Sequence, residues 1–312
     1  MAELNGSKQN DIKTQGFIFE IERFAINDGP GIRTLVFLMG CPLHCFWCAN
    51  PESQTFGQKL MVWKNRCIGC KACIKKCPAS ALSWNNGVVV DRSRCDFCGE
   101  CTEVCNSNAL TLVGKRMSAD DVFEQVDKDA DFYEKSGGGV TFSGGEPFAQ
   151  PEFLLELGKK AKERGYHVCV ETTGYVRWDV MREIIPYIDL FLYDFKHMDS
   201  GTHQNYTGVG NELILENYKR LLEYGKKTVV RFPVIPGIND TDENISQLIG
   251  FLQKHNPCCQ VDILPYHALG VSKYERLGMD YRLKEIEPPS KERIEELRLR
   301  FEKSGFRVVV GG

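Results

Sequence analysis

Eleven of the chain's 14 cysteines fall between Cys41 and Cys105, and that crowding constrains the fold more than any other feature of the sequence. Disulfides that stapled a chain of 312 residues would be spread along it. Packed into one stretch at short fixed spacings, the thiols read instead as metal ligands kept in a reducing compartment. Three lie in Cys41-x3-Cys45-x2-Cys48, directly after the apolar run Thr34 to Gly40. Four more form Cys67-x2-Cys70-x2-Cys73-x3-Cys77-Pro78, and another four form Cys95-x2-Cys98-x2-Cys101-x3-Cys105-Asn106. Cys169, Cys258 and Cys259 stand apart and read as small buried hydrophobes.

Composition narrows what surrounds these thiols. With 42% hydrophobic and 26% charged residues the chain is of the globular type, long enough for one large domain or two. Balancing 39 Lys and Arg against 42 Asp and Glu leaves a net charge of -3, so no global basic field is available for nucleic acid. No apolar run is long enough to span a bilayer. Residues 1 to 16 lack the apolar stretch of a secretory leader. A cytoplasmic protein without membrane or nucleic-acid partners is expected.

Periodicity supplies the architecture. Residues 17 to 24 alternate as a half-buried strand, and continuous apolar runs of the buried parallel kind recur at 34–40, 139–145, 167–172, 189–195, 228–235 and 261–267. Helical patterns separate them. Ser118 with Asp121 opens one that carries Val122, Val126, Ala130 and Tyr133; another runs from Pro151 to Arg164 before Gly165; a last one follows Ser290. Six such units predict an α/β fold, an incomplete (β/α)6 barrel of the TIM type, open on one side. The barrel is expected over residues 16–66 and 106–312. Residues 67–105 are read as an inserted small domain built from two copies of one cysteine pattern.

The spacings carry chemistry. Three thiolates on one short loop can ligate three irons of a 4Fe-4S cubane and leave the fourth iron open to substrate. Structural zinc would want four closed ligands, and His44 sits at no usual finger spacing. The other two runs match the bacterial ferredoxin pattern C-x2-C-x2-C-x3-C-P, the second with Asn in place of Pro. The fourth cysteine of each ferredoxin run crosses to the other cluster. Cys67, Cys70, Cys73 and Cys105 are therefore expected to hold one 4Fe-4S cluster, and Cys95, Cys98, Cys101 and Cys77 a second. Closed clusters of this kind carry single electrons. Lys71, Lys75 and Lys76 beside them read as a solvated face, or as a dock for an acidic carrier.

At this point the residues resemble a known family. The loop C-x3-C-x-aromatic-C, with Trp47 as its aromatic, is similar to the signature of radical SAM enzymes. Upstream, Asp28-Gly29-Pro30-Gly31-Ile32-Arg33 resembles the D-G-P-G-x-R stretch of glycyl-radical-enzyme activating enzymes. The likeness continues through Gly137 to Gly139, Ser143-Gly144-Gly145-Glu146-Pro147, Glu171-Thr172-Thr173-Gly174, Asp194-Phe195-Lys196, Arg231, Pro236-Gly237 and Leu264-Pro265-Tyr266-His267. It covers nearly all of residues 16 to 310, including the ferredoxin-like insert that marks one branch of the family. In an α/β barrel the site lies at the C-terminal ends of the strands, and the motifs fall there.

The resemblance implies a cofactor and an activity. Cys41, Cys45 and Cys48 would hold a cluster whose open iron chelates S-adenosylmethionine, giving three clusters in all. Electrons from a flavodoxin or ferredoxin would cleave the cofactor to methionine and a 5'-deoxyadenosyl radical. That radical would take hydrogen from a glycine Cα of a partner glycyl radical enzyme. Trp47, Cys48 and Ala49 would pack against the cofactor. Gly144 and Gly145 would let the backbone approach its methionine part, with Glu146 meeting the ammonium. Asp194, Phe195 and Lys196 would meet its carboxylate and hydroxyls, Lys196 on the same strand face as Asp194. Arg231 would neutralise carboxylate charge, and His267 would lie near the ribose or adenine. Glu171 stands where relatives have an aspartate that helps bind a monovalent cation. Asp28, Gly29, Pro30, Gly31 and Arg33 would grip the partner's peptide. Two other readings stand beside this one: a radical SAM enzyme that acts on a small molecule or maturation peptide, and a ferredoxin-type carrier with a vestigial barrel.

Overall fold

The computed structural model describes residues 14–311; the polar leader up to residue 13 lies outside them. Its strands are β1 (Gln15–Ala25), β2 (Arg33–Leu38), β3 (Lys59–Val62), β4 (Leu82–Trp84), β5 (Val88–Val90), β6 (Leu110–Val113) and β7 (Lys115–Ser118). Then come β8 (Gly139–Gly144), β9 (His167–Thr172), β10 (Leu190–Asp194), β11 (Lys227–Val234), β12 (Gln260–Pro265) and β13 (Arg307–Val310). Nine of them form one sheet in the order β13-β12-β11-β10-β9-β8-β2-β1-β7. From β2 to β13 every pairing is parallel, whereas β1 runs antiparallel to both its neighbours. The two end strands do not pair with each other, so the arc stays open.

Helices Pro151–Glu163, Trp178–Ile184, Glu212–Glu223, Asp242–His255 and Lys291–Lys303 return the chain between successive parallel strands. In sequential order these crossovers put the helices on one face of the sheet. The strand residues facing them are apolar, while the alternate ones, among them Thr141, Ser143, Glu171, Asp194, Arg231 and Asp262, face the inside of the arc. Val140, Phe142, Val168, Val170, Phe191, Val230, Phe232, Val261 and Ile263 are all buried in the main core. Three details differ from the sequence reading. Arg307–Val310 adds a seventh parallel strand, half-exposed at the sheet edge and too short to register as a buried run. The helix after Ser118 carries the expected capping box but ends at Val126. A second helix, Ala130–Ser136, begins only after a turn that seats the buried Asp129 against Arg23 and Thr34. Finally, β3 pairs with β6 as a stem, so the excursion from the main sheet starts at Lys59 and is wider than 67–105.

That excursion holds the small sheets β3–β6 and β4–β5 and a core of its own, in which Leu60, Val62, Leu82, Val88 and Leu110 pack with Cys73 and Cys101. Elsewhere the glycine motifs prove to be one device. A Cβ on Gly138 would lie 1.8 Å from the carbonyl oxygen of Ile32, and one on Gly31 would lie 2.5 Å from the Gly138 nitrogen. The two loops pack backbone against backbone. Gly138→Ala is expected to cost about 3 kcal/mol or more by overpacking, read as a lowered melting midpoint; an unshifted midpoint would contradict the contact.

Candidate functional site

A cavity of about 260 Å³ opens where the parallel strands end. Cys41, Cys45, Trp47, Cys48 and Ala49 line it from the loop after β2, with Gly144 and Gly145 at the end of β8. Glu171 lines it from β9, Asp194 and Lys196 from the end of β10, and His267 from beyond β12. The expected residues thus converge from five strands onto one wall.

The cysteine loop is held from outside the sheet. His44 N–H donates to the Thr207 carbonyl at 2.7 Å and Phe46 N–H to the Tyr206 carbonyl at 3.1 Å. Tyr206 also packs on Phe46 and Trp47, with ring centroids 5.4 and 6.2 Å away. Nothing in the spacing of the sequence signals that prop. Burial pushes the Cys45 thiol up to about 12 although Lys196 pulls it down. Cys41 and Cys48 are raised for the same reason. Three dehydrated sulfur donors on one loop fit a positively charged group that would ionise them. Among the described residues, no three His, Cys, Asp or Glu side chains converge as a single ion would require. A cubane spreads its thiolates over several irons and does not need that convergence.

The charged wall is a chain of pairs. Lys196 Nζ lies 3.2 Å from Asp194, and though burial opposes it, Asp194 and Cys45 hold the ammonium well protonated. Lys196 lies past the end of β10, not on it. Arg231 reaches Glu171 at 2.7 Å and Asp28 at 3.1 Å, and donates to the Asn27 carbonyl at 2.8 Å. Its Nε is buried with no partner among the described residues. Burial alone would raise Glu171, but Arg231 and the Ser143 hydroxyl keep it below the usual carboxylate range. Asp28 stays above that range through burial and the nearby Glu171.

Several expected contacts are placed differently. The Glu146 carboxylate is 1% exposed and turned away from the cavity. It accepts from the Thr172 hydroxyl at 2.7 Å and from the Thr173 N–H and hydroxyl at 2.9 and 2.7 Å. It braces the wall from behind rather than facing a ligand. Gly144 and Gly145 lack a Cβ for a neighbour's sake: one there would lie 2.5 Å from Leu38 backbone or 2.3 Å from the Gly40 carbonyl oxygen. Phe195 points into the core against Tyr193, Tyr218 and Phe251. Arg231 sits beneath the lining. Arg33 is fully buried and donates to Thr141 and to the carbonyls of Pro30, Val140 and His167, so it pins the Asp28–Pro30 turn and is closed to a peptide. One residue missed by sequence reasoning is Asn239, whose amide donates to the Lys196 carbonyl at 3.0 Å and accepts from the Ile235 N–H at 2.7 Å. It ties the loops after β10 and β11, and the neighbouring Pro236-Gly237 was its only trace.

Residues 92–249 match the radical SAM superfamily, and residues 66–110 match the 4Fe-4S dicluster domain. The chain is 43% identical over 299 residues to the trans-4-hydroxy-L-proline dehydratase activating enzyme of Clostridioides difficile, covering 95% of this chain and 99% of that one. The chain belongs to the glycyl-radical-enzyme activating enzymes. This activating enzyme is also 42% identical over 278 residues to the choline trimethylamine-lyase activating enzyme of Oleidesulfovibrio alaskensis, with 86% and 89% of the two chains covered. Streptococcus suis SuiB, solved with its precursor peptide SuiA, shares the fold alone: TM-score 0.51, 14% identity, 87% of this chain and 47% of that one.

Proposed function

We infer that the cavity above β2, β8, β9, β10 and β12 is where this activating enzyme binds S-adenosylmethionine, with Cys41, Cys45 and Cys48 as ligands of the catalytic 4Fe-4S cluster. The chain is an oxidoreductase of the radical SAM class that activates a glycyl radical enzyme. The bound cluster supplies the electron that splits the sulfonium to methionine and a 5'-deoxyadenosyl radical, which takes hydrogen from a glycine Cα of the partner. The carrying observation is that three cysteines, the paired glycines, Glu171, Asp194, Lys196 and His267 line a single cavity.

The protein's own side chains orient and dehydrate the reactants. The Lys196 ammonium, anchored by Asp194, is placed to hold the methionine carboxylate. Trp47, Pro233, Ile235 and Pro265 give the cavity apolar walls that exclude water from the radical's path. Both oxygens of Glu171 already have partners in Arg231 and Ser143, so Glu171 is committed to that cluster rather than to a monovalent cation. Asp28, Gly29, Pro30 and Gly31 are assigned to the partner's peptide, and Arg33 to shaping that turn. We assign two further 4Fe-4S clusters to the insert, one on Cys67, Cys70, Cys73 and Cys105, the other on Cys77, Cys95, Cys98 and Cys101. The two sets line separate cavities. No helix among the described residues is long and apolar enough to cross a membrane. We place the enzyme in the cytoplasm, where thiols stay reduced and a flavodoxin or ferredoxin is at hand.

The test is anaerobic. Cluster-reconstituted enzyme, S-adenosylmethionine and dithionite are mixed with candidate partners, including a hydroxyproline dehydratase and a choline lyase, and examined by electron paramagnetic resonance. A glycine-centred doublet in a partner is expected; cofactor cleavage that never yields one would point to a small-molecule substrate. A separate expectation concerns the bracing carboxylate. Glu146→Ala strands the Thr172 and Thr173 donors at about 1–3 kcal/mol for each left unsatisfied. It should raise KM for S-adenosylmethionine more than it lowers kcat, and an unchanged KM would remove the bracing role.

A further inference from the structure

We propose that the face of the insert around Cys67, Cys70 and Cys73 is the docking surface for a small acidic one-electron carrier protein, with the Cys95, Cys98 and Cys101 set lying between it and the catalytic loop. The proposal rests on the reading of the insert as an electron relay and gives that relay a direction.

Charge along the insert is segregated. No Asp or Glu occurs between Glu52 and Asp91, whereas Lys59, Lys64, Arg66, Lys71, Lys75 and Lys76 all do. The second run reverses the net sign, with Asp91, Asp96, Glu100 and Glu103 against Arg92 and Arg94. On the basic half Lys64, Arg66, Lys71 and Lys75 are exposed, and so is Lys76, which is paired with Glu100 at 3.1 Å. The same stretch carries bare apolar side chains: Ile68 is 71% exposed, Val89 46% and Trp84 38%. Lys71 Nζ lies 5.0 Å above the Trp84 ring, which itself packs against Gly69. Bare apolar side chains among charged ones suit a transient protein interface, and the sign of the charge selects an acidic partner.

The opposite end of the stem faces the catalytic loop. Phe56 packs its ring on Gly40, next to Cys41, and its carbonyl accepts from Lys59 Nζ at 3.0 Å. That same ammonium lies 5.9 Å from the Phe97 ring, which lines the cavity of Cys95, Cys98 and Cys101 together with Leu60 and Leu112. One step further along the stem, Val62 and Leu110 line the cavity of Cys67, Cys70 and Cys73. The acidic run is thus nearer the Gly40 end of the stem, and the basic run lies by its Val62 end, where Trp63 stacks on Arg276. In each turnover one electron leaves the reduced carrier, which is oxidised by one electron, and enters at the basic face. It is consumed in the one-electron cleavage of S-adenosylmethionine.

The test uses the full chain with its clusters reconstituted and an acidic flavodoxin as probe, titrated calorimetrically at low and high ionic strength. Binding that weakens with salt is expected. The double variant Lys71→Glu, Lys75→Glu should lose about tenfold or more in affinity and most of the salt dependence. The milder Lys71→Gln, Lys75→Gln should fall between it and the wild type. Lys254→Glu with Lys303→Glu, an equal charge change on exposed helix positions of the barrel, should bind as the wild type does. Iron content and visible absorbance check that each variant keeps its clusters. Failure of the wild type to bind at low salt, or equal weakening by both charge-reversed pairs, overturns the proposal. Activation with dithionite, which bypasses any carrier, tests the underlying activity separately.

Discussion

Cys45→Ala is expected to bring 5'-deoxyadenosine formation under dithionite down to background while the insert keeps its iron. The effect should be complete because the loop has no spare donor. Cys41, Cys45 and Cys48 line the cavity from one short segment, His44 between them is exposed, and the other cysteine sets line cavities of their own. Removing one sulfur leaves two thiols where the group needs three. The backbone around it is anchored through Thr207 and Tyr206, so the vacancy will not be filled by a loop shift. Iron analysis, absorbance and chromatographic detection of 5'-deoxyadenosine check this, and undiminished cleavage would refute the ligand assignment.

The largest effect on stability is expected from Arg231→Leu. In the native protein one guanidinium answers two largely buried carboxylates, at 2.7 Å from Glu171 and 3.1 Å from Asp28. Breaking a buried pair by deleting one partner costs about 3–5 kcal/mol, a fall in melting midpoint of roughly 10 °C for a chain of this size. The sign of the pH dependence follows from the two carboxyls. Glu171 is held low, so it adds stability above the unfolded carboxylate pKa of about 4.3 and loses that contribution as the pH falls through its folded value. Asp28 is raised, so it works in the opposite sense and loses its contribution as the pH rises through its folded value. Without Arg231 both are raised by burial and by each other. The folded variant then binds more protons than the unfolded chain, and its deficit grows as the pH rises above the unfolded carboxylate range of about 4. Arg231→Lys, which keeps the charge, should recover much of that slope. Anaerobic melting at several pH values decides it; a deficit that does not grow with pH would show that the carboxylates are paired elsewhere.

Much of this was legible before any coordinates. Apolar stretches announce buried strands, although the alternate residues Ser143, Glu171 and Arg231 face inward, and motifs at the strands' C-terminal ends fall together because a parallel barrel collects those ends on one rim. The cysteine spacings mark their loops without help from the fold. What could not be read was the direction of individual side chains. Glu146 follows two glycines that line the cavity, yet its own carboxylate turns inward because Thr172 and Thr173 offer three donors there. Arg33 belongs to a motif assigned to a peptide, yet it is spent on carbonyls below the loop. Tyr206 and Asn239 act through backbone groups far along the chain, and such pairings have no period to reveal them. Asp129 broke a helix that the apolar pattern ran straight through, since the pattern weighs faces and not the pull of one buried carboxylate.

The satellite core of the excursion has a consequence for handling the protein in air. Leu60, Val62, Leu82, Val88 and Leu110 are a thin apolar filling, completed by the very cysteines assigned to iron. So small a nucleus does not hold by itself, whereas the barrel's is large and includes none of the cysteines assigned to iron. Oxygen damage should therefore melt the excursion first and leave the barrel standing, so that aged samples unfold in two steps where fresh ones unfold in one.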